Sequence, residues 1–163
     1  IYLTIIRNKT AEFMSACCRV GAIMAQSSPE EEQALASYGL DLGMAFQITD
    51  DLLDLVGDPK KTGKPVGGDL REGKVTMPII FTLEMAHPNE WQVLEEIIRT
   101  EDASTPNLDF ARNLAERTGA IESTREAAAD YIERAIESLG GLPRSQARDS
   151  LADLAKYILK RAC

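Results

Sequence analysis

Leu42-Gly43-Met44-Ala45-Phe46-Gln47-Ile48-Thr49-Asp50-Asp51-Leu52-Leu53-Asp54-Leu55-Val56 is uncharged throughout except at Asp50, Asp51 and Asp54. A segment that is apolar all round a helix belongs inside a protein. Carboxylates at the end of such a helix are costly unless something cationic meets them. Asp50 and Asp54 are four apart and share a face, with Asp51 beside them, so their charges repel. The stripe Gly39, Gly43, Gln47, Asp50, Asp54 passes from small residues to an amide and then to acids, as the wall of a cavity would. A divalent cation resolves the electrostatics. Magnesium is the natural choice, because one or two carboxylates hold it while water or phosphate completes the octahedron. The alternative is a solvated acidic helix end with its acids paired to lysines, which the apolar setting argues against. An EF-hand is excluded, since the acids do not alternate through a Gly-containing loop.

Outward from this stretch, helical spacing dominates. Ile6, Phe13, Cys17, Val20 and Met24 mark one face of an opening helix. Ser28-Pro29-Glu30-Glu31 reads as a capping box with Pro at the first helical position, so a second helix runs from there to about Val56. Residues 57–74 hold five of the eleven glycines and two prolines without apolar periodicity, which predicts a loop. Met77-Pro78-Ile79-Ile80-Phe81-Thr82-Leu83 is read as a helix, with Pro78 in its first turn. Further helices are predicted from Pro88 to Arg99, from Thr105 to near Gly119, through Ile121 to Leu139, and from Ala147 to Ile158. Lys160 and Arg161 sit well for the last helix's dipole. Trp91, Tyr131 and Tyr157 are read as packing residues, and Cys17 and Cys18 as small apolar fillers. The fold class is all-α.

The chain has 163 residues, with 18 basic against 26 acidic side chains and a net charge of −8. That length suggests one domain, and the acidic balance argues against nucleic-acid binding. No apolar run is long enough for a membrane span. Three cysteines, Cys17, Cys18 and Cys163, do not make a disulfide framework, which suits a reducing, cytoplasmic setting. The single His87 leaves little scope for a His-rich metal site or a serine triad. No signal peptide is visible. The sequence begins at Ile1 inside an apolar pattern and reads as a piece of something longer.

Between Pro59 and Val75 lie Lys60, Lys61, Lys64, Arg71 and Lys74 against Asp69 and Glu72. Basic side chains on a Gly-rich loop directly after a carboxylate cluster can hold the outer oxygens of a metal-bridged diphosphate. A solvated basic loop is the other reading. A nucleotide-binding loop at Gly57 to Lys64 fails: the spacer is one residue too long, Pro65 stands for Ser/Thr, and a helix precedes it.

Phe46-Gln47-Ile48-Thr49-Asp50-Asp51-Leu52-Leu53-Asp54 is followed by Gly57-Asp58, Thr62-Gly63-Lys64, Gly68-Asp69-Leu70 and Glu72-Gly73-Lys74-Val75-Thr76-Met77-Pro78. In this order and spacing the motifs resemble the second aspartate-rich motif and following loop of the trans-isoprenyl diphosphate synthases. The flavour is closer to bacterial polyprenyl synthases, heptaprenyl to decaprenyl, than to plant terpene cyclases. The resemblance covers residues 1–163 as the C-terminal portion of one polyprenyl synthase domain.

It implies an all-α barrel around a deep cavity, a homodimer in the full-length form, and magnesium between two facing aspartate motifs. Asp50 and Asp51 would bind metal, with Asp54 in support. Lys9 and Thr10 match a Lys-Thr pair that contacts the allylic diphosphate, and Gln47 matches the amide beside it. Lys64 and Lys74 match lysines that close on the same diphosphate and assist its departure, on a loop that orders on binding. The implied reaction condenses an allylic diphosphate with isopentenyl diphosphate, the released pyrophosphate taking the proton, with peripheral delivery of the product to membrane. The family's first aspartate motif, its product-length residues and its isopentenyl diphosphate site lie upstream of these residues, so this polypeptide alone is expected to be inert. Two other readings are a non-catalytic helical partner of a prenyl synthase and a terpene cyclase.

Overall fold

The computed structural model describes residues 1–58 and 65–161. Among these every regular element is helical. The helices are α1 (Tyr2–Ile6), α2 (Glu12–Met24), α3 (Pro29–Val56), α4 (Gly68–Arg71), α5 (Met77–Met85), α6 (Pro88–Thr100), α7 (Thr105–Thr118), α8 (Ala120–Ser138) and α9 (Gln146–Lys160). A π-helical turn, Arg7–Ala11, joins α1 to α2, and a 3-10 turn, Leu139–Gly141, follows α8. None of the helices is long and apolar enough to cross a membrane.

The starts of these helices follow from local chemistry. Ser28 and Glu31 form the reciprocal capping box at α3: the Glu31 N–H donates to Ser28 Oγ at 3.3 Å, and the Ser28 N–H to Glu31 Oε2 at 3.0 Å. Pro78, Pro88 and Pro106 occupy first-turn positions, where the missing N–H costs nothing. His87 caps α6 with its own ring, accepting from the Asn89 N–H, while Glu90 accepts from the His87 N–H. The lone histidine thus has a structural task.

The chain forms two compact units. The first comprises residues 1–49 and 127–161. Its core gathers Tyr38, Leu42 and Ala45 with Ile132, Ala135, Leu139, Ala155 and Ile158. Tyr38 is buried, and its hydroxyl donates to the Leu151 carbonyl at 2.8 Å, which satisfies its polar end. In the same unit α2 lies against α3 at Gly39 and Gly43. The second unit, 50–126, packs Leu55, Leu70, Ile79, Leu94, Leu108 and Leu114 around Ala111, Ala115 and Ala120. Each fully buried Leu or Ile contributes about 1.5–3 kcal/mol.

Several expectations need correction. The stripe Phe13, Cys17, Val20, Met24 is exposed, with Phe13 at 70% and Met24 at 79%. The packed side of α2 is the opposite one: Ala11 and Ala22 are buried, and Ser15 donates to the Ala36 carbonyl at 2.8 Å. Small residues win that side because they permit backbone contact, which no larger side chain allows. Cys17 is therefore exposed, and Cys18 half-buried, with burial pushing its thiol up. Trp91 and Tyr157 lie on the surface, at 39% and 58% exposure, and only Tyr131 packs against a core. The predicted loop contains α4, and Lys60, Lys61 and Lys64 lie outside the described residues.

Candidate functional site

Asp50, Asp51 and Asp54 are half-buried on the last turns of α3, in the second unit. Asp54 has a definite job. Its Oδ1 accepts the Gly68 N–H at 3.1 Å and its Oδ2 the Asp69 N–H at 2.9 Å. Its main-chain carbonyl accepts the Gly67 N–H at 2.7 Å. The chain that leaves α3 at Gly57 is thereby stapled back onto the residue three before it, and the carboxylate caps α4. The backbone at the staple favours glycine at Gly67 and leaves little room beside Gly68. Gly67 has φ +77°, and a Cβ on Gly68 would stand 3.1 Å from Asp54 Oδ1.

The staple delivers Asp69 to the aspartates of α3. Its carboxyl is pushed up to about 6, first by burial and then by the charge of Asp54, with Glu72 and Asp50 adding to the push. Lys74 opposes them, with its Nζ 3.9 Å from Asp69 and paired to Glu72. The ammonium is held above its usual range by Glu72, Asp69 and Asp51. Segment 67–74 is compact: the Lys74 N–H donates to the Asp69 carbonyl at 2.8 Å, and the Arg71 guanidinium donates to the Val66 carbonyl. Burial and the neighbouring carboxylates thus outweigh the pull of Lys74 on Asp69.

The sequence expectation for these acids is a divalent cation. Among the described residues, though, no three His, Cys, Asp or Glu side chains converge closely enough to hold a metal by themselves. A magnesium ion held here would take water or phosphate as its remaining ligands.

In the first unit, Thr10 and Gln47 are brought together. The Thr10 hydroxyl donates to Gln47 Oε1. Gln47 is buried, whereas Lys9 is exposed on the π-helical turn that also carries Thr10. Such turns recur at functional sites because the extra residue re-aims side chains. Lys64, expected beside Lys74, lies outside the described residues.

Two features escaped the sequence reading. Asp69 stood in a quoted motif without a role; its signal was an acid directly after Gly67-Gly68 in a basic loop. The π-helical turn has no signal in composition or spacing.

Residues 1–114 match the polyprenyl synthetase family. The chain is 40% identical to the short chain isoprenyl diphosphate synthase of Methanothermobacter thermautotrophicus, over 98% of its own length and 49% of that protein. It superposes with a TM-score of 0.90 on a decaprenyl diphosphate synthase from Rhodobacter capsulatus, at 40% identity, covering 99% of this chain and 50% of that one. A polyprenyl synthase from Caulobacter crescentus, solved with calcium and isoprenyl diphosphate, gives a TM-score of 0.94 at 36% identity, over 99% and 49%. The chain spans about half the length of the curated relatives it matches.

Proposed function

This chain belongs to the polyprenyl synthetase family, and from that premise we propose that it is the C-terminal portion of a trans-prenyltransferase domain. Its reaction condenses an allylic diphosphate with isopentenyl diphosphate. The observation that carries the reading is the Asp54 staple, which gathers Asp69 and Lys74 beside the aspartates of α3. A cluster of half-buried acids with Lys74 beside it suits a site for a cation and an anionic ligand together.

Each residue then has a task. Asp50 and Asp51 would hold magnesium, and Asp54 supports them by keeping segment 67–69 in place. Bound magnesium would supply positive charge against the departing diphosphate. Lys64 and Lys74 place their ammonium charges on that same leaving group, where preorganised charge lowers the barrier most. Lys9, Thr10 and Gln47 hold the diphosphate as the allylic C–O bond breaks. The double bond of isopentenyl diphosphate captures the allylic cation, and the released pyrophosphate takes the proton.

The solved relative with calcium and isoprenyl diphosphate supports the divalent metal and the ligand class. The outer face of α2, with Val20 at 57% and Phe13 at 70% exposure, supports further polypeptide covering it. We place the active form in the cytoplasm as a homodimer of longer chains, handing a polyprenyl product to membrane.

The test is product formation by the full-length protein with magnesium and both diphosphates. Asp50→Asn is expected to lower kcat by at least about a hundredfold, as loss of a charge-stabilising group does. Unchanged turnover in Asp50→Asn would overturn the metal role. Absence of turnover by the wild type would favour a non-catalytic partner, and product formed without isopentenyl diphosphate would favour a cyclase.

A further inference from the structure

Gly43 lies on α3 one turn before Gln47, against the π-helical turn and the start of α2 in the first unit. A Cβ on Gly43 would stand 2.6 Å from the Ala11 Cα, 3.1 Å from the Ala11 Cβ and 3.1 Å from Met14 Sδ. The first contact is with backbone, so no rotamer relieves it. The helices would have to move apart. Ala11 is fully buried, closes the π-helical turn and directly follows Thr10. The separation that Gly43 permits therefore governs whether the Thr10 hydroxyl reaches Gln47 Oε1.

In this arrangement the oxygen end of the amide is the one committed to protein. A primary amide has an acceptor oxygen and a donor nitrogen, and a diphosphate presents acceptors alone. With Oε1 taken by Thr10, the donor end remains for the anion. With the amide turned over, an oxygen would face oxygens.

On the functional reading above, we propose that Gly43 is a positioning residue for diphosphate binding. It holds α2 against α3 so that Thr10 fixes the Gln47 amide with its nitrogen available to the diphosphate.

The test measures the affinity of the full-length protein for inorganic pyrophosphate with magnesium, by calorimetry, alongside melting temperature. Gly43→Ala and Thr10→Val are each expected to weaken binding roughly tenfold, the scale of one hydrogen bond to a charged group. The double variant should be no weaker than the worse single one, since both act through one bond. Ile132→Val, chosen to lower the melting temperature through the core of the same unit, should leave the affinity unchanged. If Gly43→Ala fails to fold, Gly43→Ala/Ala11→Gly removes one opposing carbon, and it should bind more weakly than wild type by the same factor. Variants at Gly43 that lower only the melting temperature would overturn the proposal.

A wild type that binds no pyrophosphate would overturn the functional reading instead. The Gln47 side-chain amide signal, read by NMR, then decides the positioning separately. A shift in both Gly43→Ala and Thr10→Val upholds it, and spectra matching Ile132→Val sink it.

Discussion

Asp69 shows how burial and neighbouring carboxylates act on a single side chain. Its carboxyl lies near 6 rather than at 3.8, pushed up by burial and by Asp54, Glu72 and Asp50, against the pull of Lys74. The folded protein therefore holds that proton more tightly than the unfolded chain does. The resulting stabilisation is complete below about pH 4 and is lost as pH rises through about 6. Without divalent cations, wild type should lose melting temperature relative to Asp69→Asn across that window. Parallel curves for the two proteins between pH 4 and 7 would mean that Asp69 is not under this pressure. In the sequence, Asp50, Asp51 and Asp54 were legible because an acid on an apolar helix is conspicuous. Asp69 was not, because its environment is created by a chain reversal that spacing cannot reveal.

At the scale of elements, helix existence was readable almost throughout, since caps and prolines are local. The Ser28 box, Pro78, Pro88 and Pro106 each mark a start that the structure retains. Facing was less readable. The larger apolar residues of α2 suggested a buried stripe, yet Ala11, Ser15 and Ala22 occupy the packed side, where backbone approaches backbone at Gly39 and Gly43. The short helix α4 was also missed. Four residues carry no periodicity, and its start depends on a cap supplied by Asp54, fourteen positions earlier. Asp54→Ala should leave the Gly68 and Asp69 N–H groups unmatched and cost about 1–3 kcal/mol. Asp54→Asn keeps an acceptor oxygen and should cost less. Chemical denaturation without metal measures both, and equal stability of Asp54→Ala and wild type would remove the cap from the account.

At the scale of the whole molecule, the chain covers 98% of itself but 49% of the relative it matches at 40% identity. On the proposed reading further polypeptide would cover surfaces exposed here, and the outer side of α2 is the one that fits. Phe13, Val20, Ile23 and Met24 are all exposed, at 70%, 57%, 54% and 79%, and with Ala16 and Cys17 they make an apolar strip on a helix already packed on its other side. Isolated surface hydrophobes are ordinary, but a contiguous strip of this kind normally has a partner. Produced as a 163-residue polypeptide, the chain should therefore bind an apolar fluorescent dye strongly or self-associate. Val20→Ser/Met24→Ser should reduce either response without loss of helical signal. The same positions in the protein as purified from its source should be silent toward the dye if more polypeptide covers them. Intact mass separates the cases: a value well above 17.9 kDa identifies the cover as part of the same chain. A value at 17.9 kDa with a silent surface requires a second polypeptide, and prenyl transfer must then be sought in the complex. Strong dye binding by a full-length, monomeric protein would show that the strip is open in the working molecule, and the argument for a covering segment would fail.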